Sequence, residues 1–207
     1  IRALSRVDET LWVGADEGIY RVDPNGGAEL VRPDLYATAI CPDGTGGLWI
    51  GTPQGLFLLE FNSQHLKKVE DIPYLVRKIA RSGDLVYLAT DVGLIRYDSS
   101  SGKIRVYKNR FDRNPLLSLN VMNIEFDGEY IWFSNWFGTP NGCILRYHRP
   151  SDTWRRFTRF DIFKNPKVKP MTVVRRITLD GRYVWFSTDN GLLRYDKGKD
   201  LWRRWPL

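Results

Sequence analysis

The sequence predicts an all-β protein, a β-propeller of five blades with four antiparallel strands each. Two observations support this fold class. A pair of residues ending in Trp or Tyr recurs five times at intervals of roughly 40 to 50 residues, which is the usual length of a propeller blade. Each pair is followed by a glycine and then by another short apolar run. The pairs are Leu11-Trp12, Leu48-Trp49, Val86-Tyr87, Ile131-Trp132 and Val184-Trp185.

Each repeat contains four short segments rich in β-branched and aromatic residues, separated by turn formers such as Asp127-Gly128 and Asp180-Gly181. The first segment begins with two apolar residues that are three positions apart. The second segment carries the aromatic pair, and a glycine precedes the third. The fourth is typified by "TWRRF" and "LWRRW". The chain is expected to form one domain, with blades at about 1–35, 36–73, 74–118, 119–170 and 171–207. Either these five blades close directly, or they are part of a larger, seven-bladed propeller.

Several repeated residues have predicted structural roles. The second-strand aromatics recur in register, as residues packed between neighbouring blades do, whereas a ligand site does not require such recurrence. The small residues two positions later should let adjacent sheets approach, and the glycine before the third strand suits a positive φ. These small residues are Gly14, Gly51, Ala89, Ser134 and Ser187.

The pattern "LWIGT" followed by "GL" and "RYD", together with "NPLLSLNVMNIEFDGEYIWF" at 114–133, resembles the two-component regulator propeller repeat. This repeat occurs in the periplasmic sensor part of bacterial hybrid sensor kinases and in related extracellular propellers. The resemblance implies a sensory propeller in the periplasm or outside the cell. Those sensors usually have seven blades, whereas five repeats are counted here.

Composition limits the function classes only loosely. The net charge of +7 suggests an anionic partner, although basic residues on outer strands also discourage edge-to-edge pairing of sheets. Because these charges are spread around the rim, nucleic-acid binding is disfavoured. Cys41 and Cys143 are expected to be small buried residues, and no Cys/His spacing suggests a metal site or a cofactor. No apolar run is long enough to span a bilayer.

The first candidate site lies on blade four, on the face where loops vary in length. Its loop between strands two and three reads "SNWFGTPNG" where blade five has "STDNG", and the two longest connections flank this blade. Aromatic rings beside cationic groups suit an anionic or sugar-like ligand, although the same residues could pack the loops onto the blade. The candidate ligand-binding residues here are Met122, Trp136, Phe137, Asn141, Phe111, Arg110, Arg113 and Phe163.

The second candidate is a set of three arginines, Arg2, Arg77 and Arg175, at one register position near the start of the first strand. They could form an anion site. However, an aspartate follows each arginine after 14 residues, at Asp16, Asp91 and Asp189, where the hairpin should bring the two together. The favoured interpretation is therefore an Arg–Asp pair inside each of these blades.

Three functions remain open at this stage. The favoured one is a non-enzymatic ligand-binding or sensory propeller that recognises a small anionic or carbohydrate ligand at blade four. The second is a scaffold that binds a neighbouring protein domain. The third is a carbohydrate-active hydrolase or lyase, for which Glu125 is the only unrepeated carboxylate within a first strand, whereas a glycosidase needs two.

Overall fold

The computed structural model describes residues 1–107, 120–135, 144–157, 162 and 173–206. Within these ranges the chain forms twenty β-strands in five sheets of four antiparallel strands, and each sheet follows the order of its strands along the sequence. The predicted all-β fold with four-stranded blades is thereby confirmed. The chain divides into two compact units, residues 1–91 with 95–106 and residues 92–94 with 107–207.

The first three blades supply most of the first unit. Blade one contains β1 (Ala3–Val7), β2 (Thr10–Gly14), β3 (Ile19–Val22) and β4 (Ala28–Arg32). Blade two contains β5 (Ala39–Pro42), β6 (Gly47–Thr52), β7 (Gly55–Glu60) and β8 (Leu66–Lys68). Blade three contains β9 (Val76–Ser82), β10 (Leu85–Thr90), β11 (Gly93–Asp98) and β12 (Ile104–Tyr107).

The second unit contains blades four and five. Blade four consists of β13 (Val121–Asp127), β14 (Tyr130–Asn135), β15 (Ile144–His148) and β16 (Thr153–Phe157). Blade five consists of β17 (Val174–Asp180), β18 (Tyr183–Thr188), β19 (Gly191–Asp196) and β20 (Leu201–Trp205). Among the residues described for this unit, neighbouring strands are joined by short turns in which Asp is frequent, as turn chemistry favours.

Each sheet has two faces that are used differently. We call the face that carries the second-strand aromatic residue the forward face, and the opposite face the rear face. In the first unit, Trp12 on the forward face of blade one packs with Leu48 and Leu59 on the rear face of blade two. The ring of Trp12 also stacks on Phe61, with centroids 4.7 Å apart. The apolar contact between forward and rear faces is therefore the core of this unit.

The second unit repeats this arrangement between blades four and five. Trp132 is fully buried on the forward face of blade four and meets Phe186 and Tyr195 on the rear face of blade five, with ring centroids 5.7 and 5.2 Å apart. Phe157 lies beside it and meets Trp202 at 5.2 Å. Buried aromatic side chains of this size contribute much of the stability of a core.

The predicted core role of the second-strand aromatics is confirmed for four blades. Trp12, Trp49, Tyr87 and Trp132 are buried, whereas Trp185 of blade five is only half-buried. The prediction that small residues let adjacent sheets approach is confirmed at Gly14. A Cβ atom added to Gly14 would come within 2.9 Å of the Ala37 side chain on blade two, so the close approach of sheets requires glycine there.

The outer strands do more than protect sheet edges. Arg155 on blade four forms an ion pair with Asp200 on blade five at 2.9 Å, and its guanidinium lies 4.6 Å from the Phe157 ring centroid. Lys197 of blade five likewise pairs with Asp127 of blade four at 2.7 Å. Part of the positive charge of the chain is therefore used in contacts between blades.

Cys41 is half-buried, and burial raises the pKa of its thiol to about 11, so it is a poor nucleophile at neutral pH. Cys143 lies outside the described residues. No helix in the described part of the chain is long and apolar enough to cross a membrane.

Candidate functional site

A β-bulge recurs near the start of the first strand in blades three, four and five. In each of these strands one residue is skipped in the pairing with the second strand, between Val76 and Lys78, between Val121 and Asn123, and between Val174 and Arg176. The skipped residues are Arg77, Met122 and Arg175. A bulge inserts one extra residue into a strand and changes the direction of its side chain, and bulges are common beside functional sites.

Blades one and two have a related arrangement at the equivalent positions. The amide of Arg2 donates to Gly14 O at 2.8 Å, although Ala3 is the residue paired with Gly14. The amide of Thr38 donates in the same way to Gly51 O at 2.8 Å. In all five blades this position therefore lies next to a backbone pair between the first and second strands. The side chain differs between blades, being Arg, Thr, Arg, Met and Arg in chain order.

In the first unit, Arg2 is neutralised within its own blade. Its Nε and Nη2 atoms donate to the two carboxylate oxygens of Asp16 at 2.7 and 3.4 Å. This hydrogen bond lowers the pKa of Asp16 and raises that of Arg2. The guanidinium also lies 5.6 Å from the ring centroid of Tyr36. The Arg–Asp pair predicted for blade one is therefore present in the structure.

Thr38 and Arg77 occupy the equivalent positions in blades two and three, which also belong to the first unit. The Thr38 hydroxyl donates to the Val76 carbonyl oxygen, which joins the first strands of blades two and three next to the bulge. Arg77 is half-buried at that bulge. In the first unit these three positions therefore hold an arginine paired with a carboxylate, a hydroxyl bonded to the backbone and a second arginine.

In the second unit, Met122 and Arg175 occupy equivalent bulges on neighbouring first strands. The two strands are joined beside the bulges by Asn123, which is buried and donates from Nδ2 to Val174 O at 2.8 Å and to Ser134 Oγ at 3.1 Å. Asn123 was missed by the sequence analysis, although an unrepeated Asn between the apolar residues Met122 and Ile124 was a signal for it. We call Met122 and Asn123 of blade four, together with the neighbouring Arg175 of blade five, the blade-four row.

The pair predicted between Arg175 and Asp189 is absent, and that prediction was wrong for blade five. Asp189 Oδ1 instead accepts the backbone N–H of Val173 at 3.2 Å, and the Asp189 amide donates to Val173 O at 3.2 Å. Arg175 is exposed, and the ion pairs formed among described residues do not include it. Equal sequence spacing therefore gives a neutralised arginine in blade one and a solvent-facing one in blade five.

The other seven predicted site residues lie outside the described residues. They are Phe111, Arg110, Arg113, Trp136, Phe137, Asn141 and Phe163. The described chain does fix where one of these segments starts. Asn135, the last described residue before 136–143, pairs with Val121 next to Met122. The last described residue before the predicted aromatic residues therefore lies beside the blade-four row.

The carboxylates of the first-strand hairpins have structural roles where their contacts are described. Asp127 accepts the Trp132 indole N–H at 3.2 Å in addition to pairing with Lys197, and Asp43 accepts the backbone amides of Thr45 and Gly47. Glu125 pairs in register with Trp132 on the neighbouring strand. Within the described ranges, no group of three or more His, Cys, Asp or Glu side chains could hold a metal ion.

Solved structures share this fold. The extracellular domain of the hybrid two component system BT4673 from B. thetaiotaomicron aligns with a TM-score of 0.78 at 20% identity, covering 100% of this chain and 28% of that chain. That of BT3049 from the same organism aligns with a TM-score of 0.64 at 15% identity, covering 81% and 24%. PorZ, a surface component of the type-IX secretion system of Porphyromonas gingivalis, aligns with a TM-score of 0.67 at 14% identity, covering 98% and 27%.

At these identities the likeness shows the fold alone, and the chain spans about a quarter of the length of each of these proteins. No curated protein is significantly similar in sequence. The model of the two component regulator propeller matches residues 32–54, which run from the end of blade one to the turn after the second strand of blade two. The chain therefore carries a two component regulator propeller repeat, as the sequence pattern predicted.

Proposed function

We propose that this chain is the ligand-binding part of a sensory propeller, and that it takes a small anionic or carbohydrate ligand at the blade-four row. The observation behind this proposal is the contrast between equivalent positions. Arg2 is neutralised by Asp16, whereas Arg175 is exposed and Asp189 is bonded to the backbone instead. Among the described residues no carboxylate forms an ion pair with Arg175, and in this proposal its guanidinium is available to an anionic ligand.

The chemistry of the row suits such a ligand. The guanidinium of Arg175 offers a planar set of N–H donors that matches a carboxylate, sulfate or phosphate group. Met122, half-buried on the neighbouring strand, offers a flexible apolar surface that adapts to ring faces. Asn123 is already engaged with Val174 and Ser134, so it fixes the distance between the two strands and is not a ligand contact in this proposal.

The loop residues predicted from the sequence complete the proposed site. Trp136, Phe137 and Asn141 follow Asn135 in the sequence, and Asn135 pairs with Val121 next to Met122. In our proposal the two rings stack on an apolar ligand face while Asn141 supplies a hydrogen bond. The same role is proposed for the rings and cations of the two long connections, at Phe111, Arg110, Arg113 and Phe163.

In this proposal the chain lies outside the cytoplasm. The solved relatives BT4673 and BT3049 are described as extracellular domains of two component systems, and we propose the same environment for this chain. In that setting the ligand would be a molecule that the cell meets outside its inner membrane. Acidic oligosaccharides combine the charge and the ring faces that the blade-four row would recognise.

The experiment that tests this proposal is a thermal-shift screen of the chain against acidic and neutral oligosaccharides, nucleotides and small carboxylates. A ligand present at a hundred times its Kd adds about 2.7 kcal/mol to the free energy of unfolding, which the screen detects. Arg175→Ala should weaken binding of the best acidic compound at least about tenfold. Lys103→Ala removes one exposed positive charge from a turn of blade three and is the matched control.

Trp136→Ala separates the two parts of the proposal. It should weaken binding while leaving the melting temperature of the free protein within a few degrees. If the screen finds no ligand in any class, the chain is better explained as a scaffold that binds another protein domain. If a ligand binds equally well to Arg175→Ala and the wild-type chain, the blade-four row is not its site.

A further inference from the structure

The carbonyl group of Val174, in the peptide unit that immediately precedes Arg175, is held from the neighbouring blade. Asn123 of blade four donates to this oxygen from Nδ2 at 2.8 Å, and Asn123 is only 7% exposed. A carbonyl oxygen can only accept a hydrogen bond, so the amide nitrogen of Asn123 must face Val174. Because this hydrogen bond is buried, it is stronger electrostatically than the same bond would be in water.

The preceding peptide unit, between Val173 and Val174, is held from within blade five. Asp189, in the turn between β18 and β19, donates its amide to Val173 O at 3.2 Å and accepts the Val173 N–H on its side chain at 3.2 Å. The Val174 carbonyl and the Arg175 N–H belong to one planar unit, so a bond to that carbonyl also fixes the amide of the arginine. Two successive peptide units ahead of Arg175 are therefore held, one from each blade.

An equivalent link joins blades two and three in the first unit. The Val76 carbonyl precedes Arg77 at the bulge of blade three, and Thr38 of blade two donates its hydroxyl to that carbonyl oxygen. Thr38 is followed by Ala39, whereas the equivalent dipeptide of blade four is Met122-Asn123. The carbonyl ahead of a bulged arginine is thus held from the preceding blade in both units, by a hydroxyl in one and by an amide in the other.

We propose that Asn123 is a positioning residue for the anion site, a role that rests on the proposed function, and that it directs the Arg175 guanidinium by holding the Val174 carbonyl. The pairing with the second strand skips Arg175, so the direction of its side chain depends on the peptide units beside it. Fixing that direction before the ligand arrives lowers the entropy cost of binding. Asn123 therefore raises the affinity for an anion without contacting it.

A purely structural role for Asn123 predicts a different result. The link between blades four and five would then contribute to the free energy of unfolding, but the folded molecule would bind an anion equally well without it. The affinity of the folded chain for an anion is therefore the measurement that separates positioning from stability.

The probe for this test is inorganic sulfate, titrated into the folded chain while the Nε–Hε signal of Arg175 is followed by NMR. Arg175→Ala identifies the signal, since it disappears in that variant. We expect Asn123→Ala to weaken sulfate binding about fivefold or more, because the guanidinium must then be ordered on binding. Sulfate has no ring face, so the result does not depend on the apolar surface of Met122.

A double variant tests whether the effect passes through the Val174 carbonyl. Met122→Thr combined with Asn123→Ala builds the Thr-Ala dipeptide of blade two into blade four. It should bind sulfate more tightly than Asn123→Ala alone, because the new hydroxyl can hold Val174 O as Thr38 holds Val76 O.

Thr38→Val is the matched control, because it removes the equivalent link from the first unit and should leave the sulfate affinity at Arg175 unchanged. If Asn123→Ala does not fold, Asn123→Ser replaces it, since its donor lies one atom closer to the backbone and does not reach Val174 O.

The outcomes separate the positioning role from the proposed function. Equal sulfate affinity in Asn123→Ala and the wild-type chain overturns the positioning role and leaves the anion site at Arg175 intact. So does a double variant that binds no better than Asn123→Ala. If the Arg175 signal of the wild-type chain does not respond to sulfate, the anion site and the positioning role are both wrong.

Discussion

Replacing Trp132 by alanine should destabilise the protein far more than the same change at Trp185, its equivalent in blade five. Trp132 is fully buried and has three ring centroids within 5.2 to 5.7 Å, those of Phe157, Phe186 and Tyr195. Truncation of a buried Trp or Phe to Ala costs about 3–5 kcal/mol, through lost transfer free energy and the cavity left behind. With three ring partners, we expect about 4–5 kcal/mol for Trp132→Ala.

Trp185 provides the matched comparison because it is also a Trp and occupies the equivalent position in the second strand of its blade. It is half-buried, its closest ring partner is Trp205 at 5.6 Å, and the space left by truncation would open to water. The transfer term is therefore roughly halved and no closed cavity forms, which predicts about 1–2 kcal/mol for Trp185→Ala. The free energies of unfolding would be measured by guanidinium denaturation followed by far-ultraviolet circular dichroism.

The result that refutes this reasoning is an equal loss of stability in the two variants. Equal losses would mean that burial by the neighbouring blade does not determine the contribution of the second-strand aromatic. If the alanine variant does not fold, Trp132→Phe takes its place, because it keeps a ring against the same three partners. Trp132→Phe should lose less unfolding free energy than Trp132→Ala and more than Trp185→Phe.

Three further predictions concern individual positions. Gly55→Ala should lower the free energy of unfolding by about 1–3 kcal/mol in urea denaturation, because φ is +134° and an added Cβ would overlap the Ile72 carbonyl oxygen. Gly102→Ala is the control and should lose less, because φ is +72° and the added Cβ would point into open space. The hydroxyl of Ser100 is the largest cause that lowers the pKa of Asp98 from 3.8 to about 2, so the stability it contributes is present above pH 3.8 and is lost as the pH falls towards 2. Asp98→Asn should therefore flatten the acid limb of the stability profile, and an unchanged slope between these pH values would contradict the assignment. Asp200→Asn removes an exposed ion pair between blades and should cost less than about 1 kcal/mol, with the difference shrinking in about 1 M salt.

Sequence periodicity was sufficient for the strands and for much of the core. Trp12 and Trp132 could be assigned to the space between sheets because side chains alternate along a strand and these residues recur in register. The Arg2–Asp16 pair could be predicted because a hairpin brings residues at that spacing together. In both cases the interaction lies within the regular geometry of one repeat or between two repeats of the same kind.

The site was less predictable for two physical reasons. The bulges that hold Met122 and Arg175 depend on which residue is skipped in the hydrogen-bond ladder, and the residues at these positions share no side-chain type that would indicate it. The aspartate at this spacing has two possible donors, a backbone N–H and the arginine guanidinium. Asp189 of blade five accepts from the backbone, whereas Asp16 of blade one accepts from the guanidinium. Which donor is used depends on the local position of the backbone, which the sequence spacing does not encode.

The sequence by itself determined the all-β class, the order of strands within each sheet and the repeat to which they belong, because these follow from local periodicity and turn chemistry. Only the tertiary structure decided which repeated residues are covered. Trp132 and Trp185 are equivalent in the sequence, yet one is buried and the other half-buried. The reason is that burial of a sheet face depends on whether another sheet lies against it, which is a property of the assembled structure and not of the repeat.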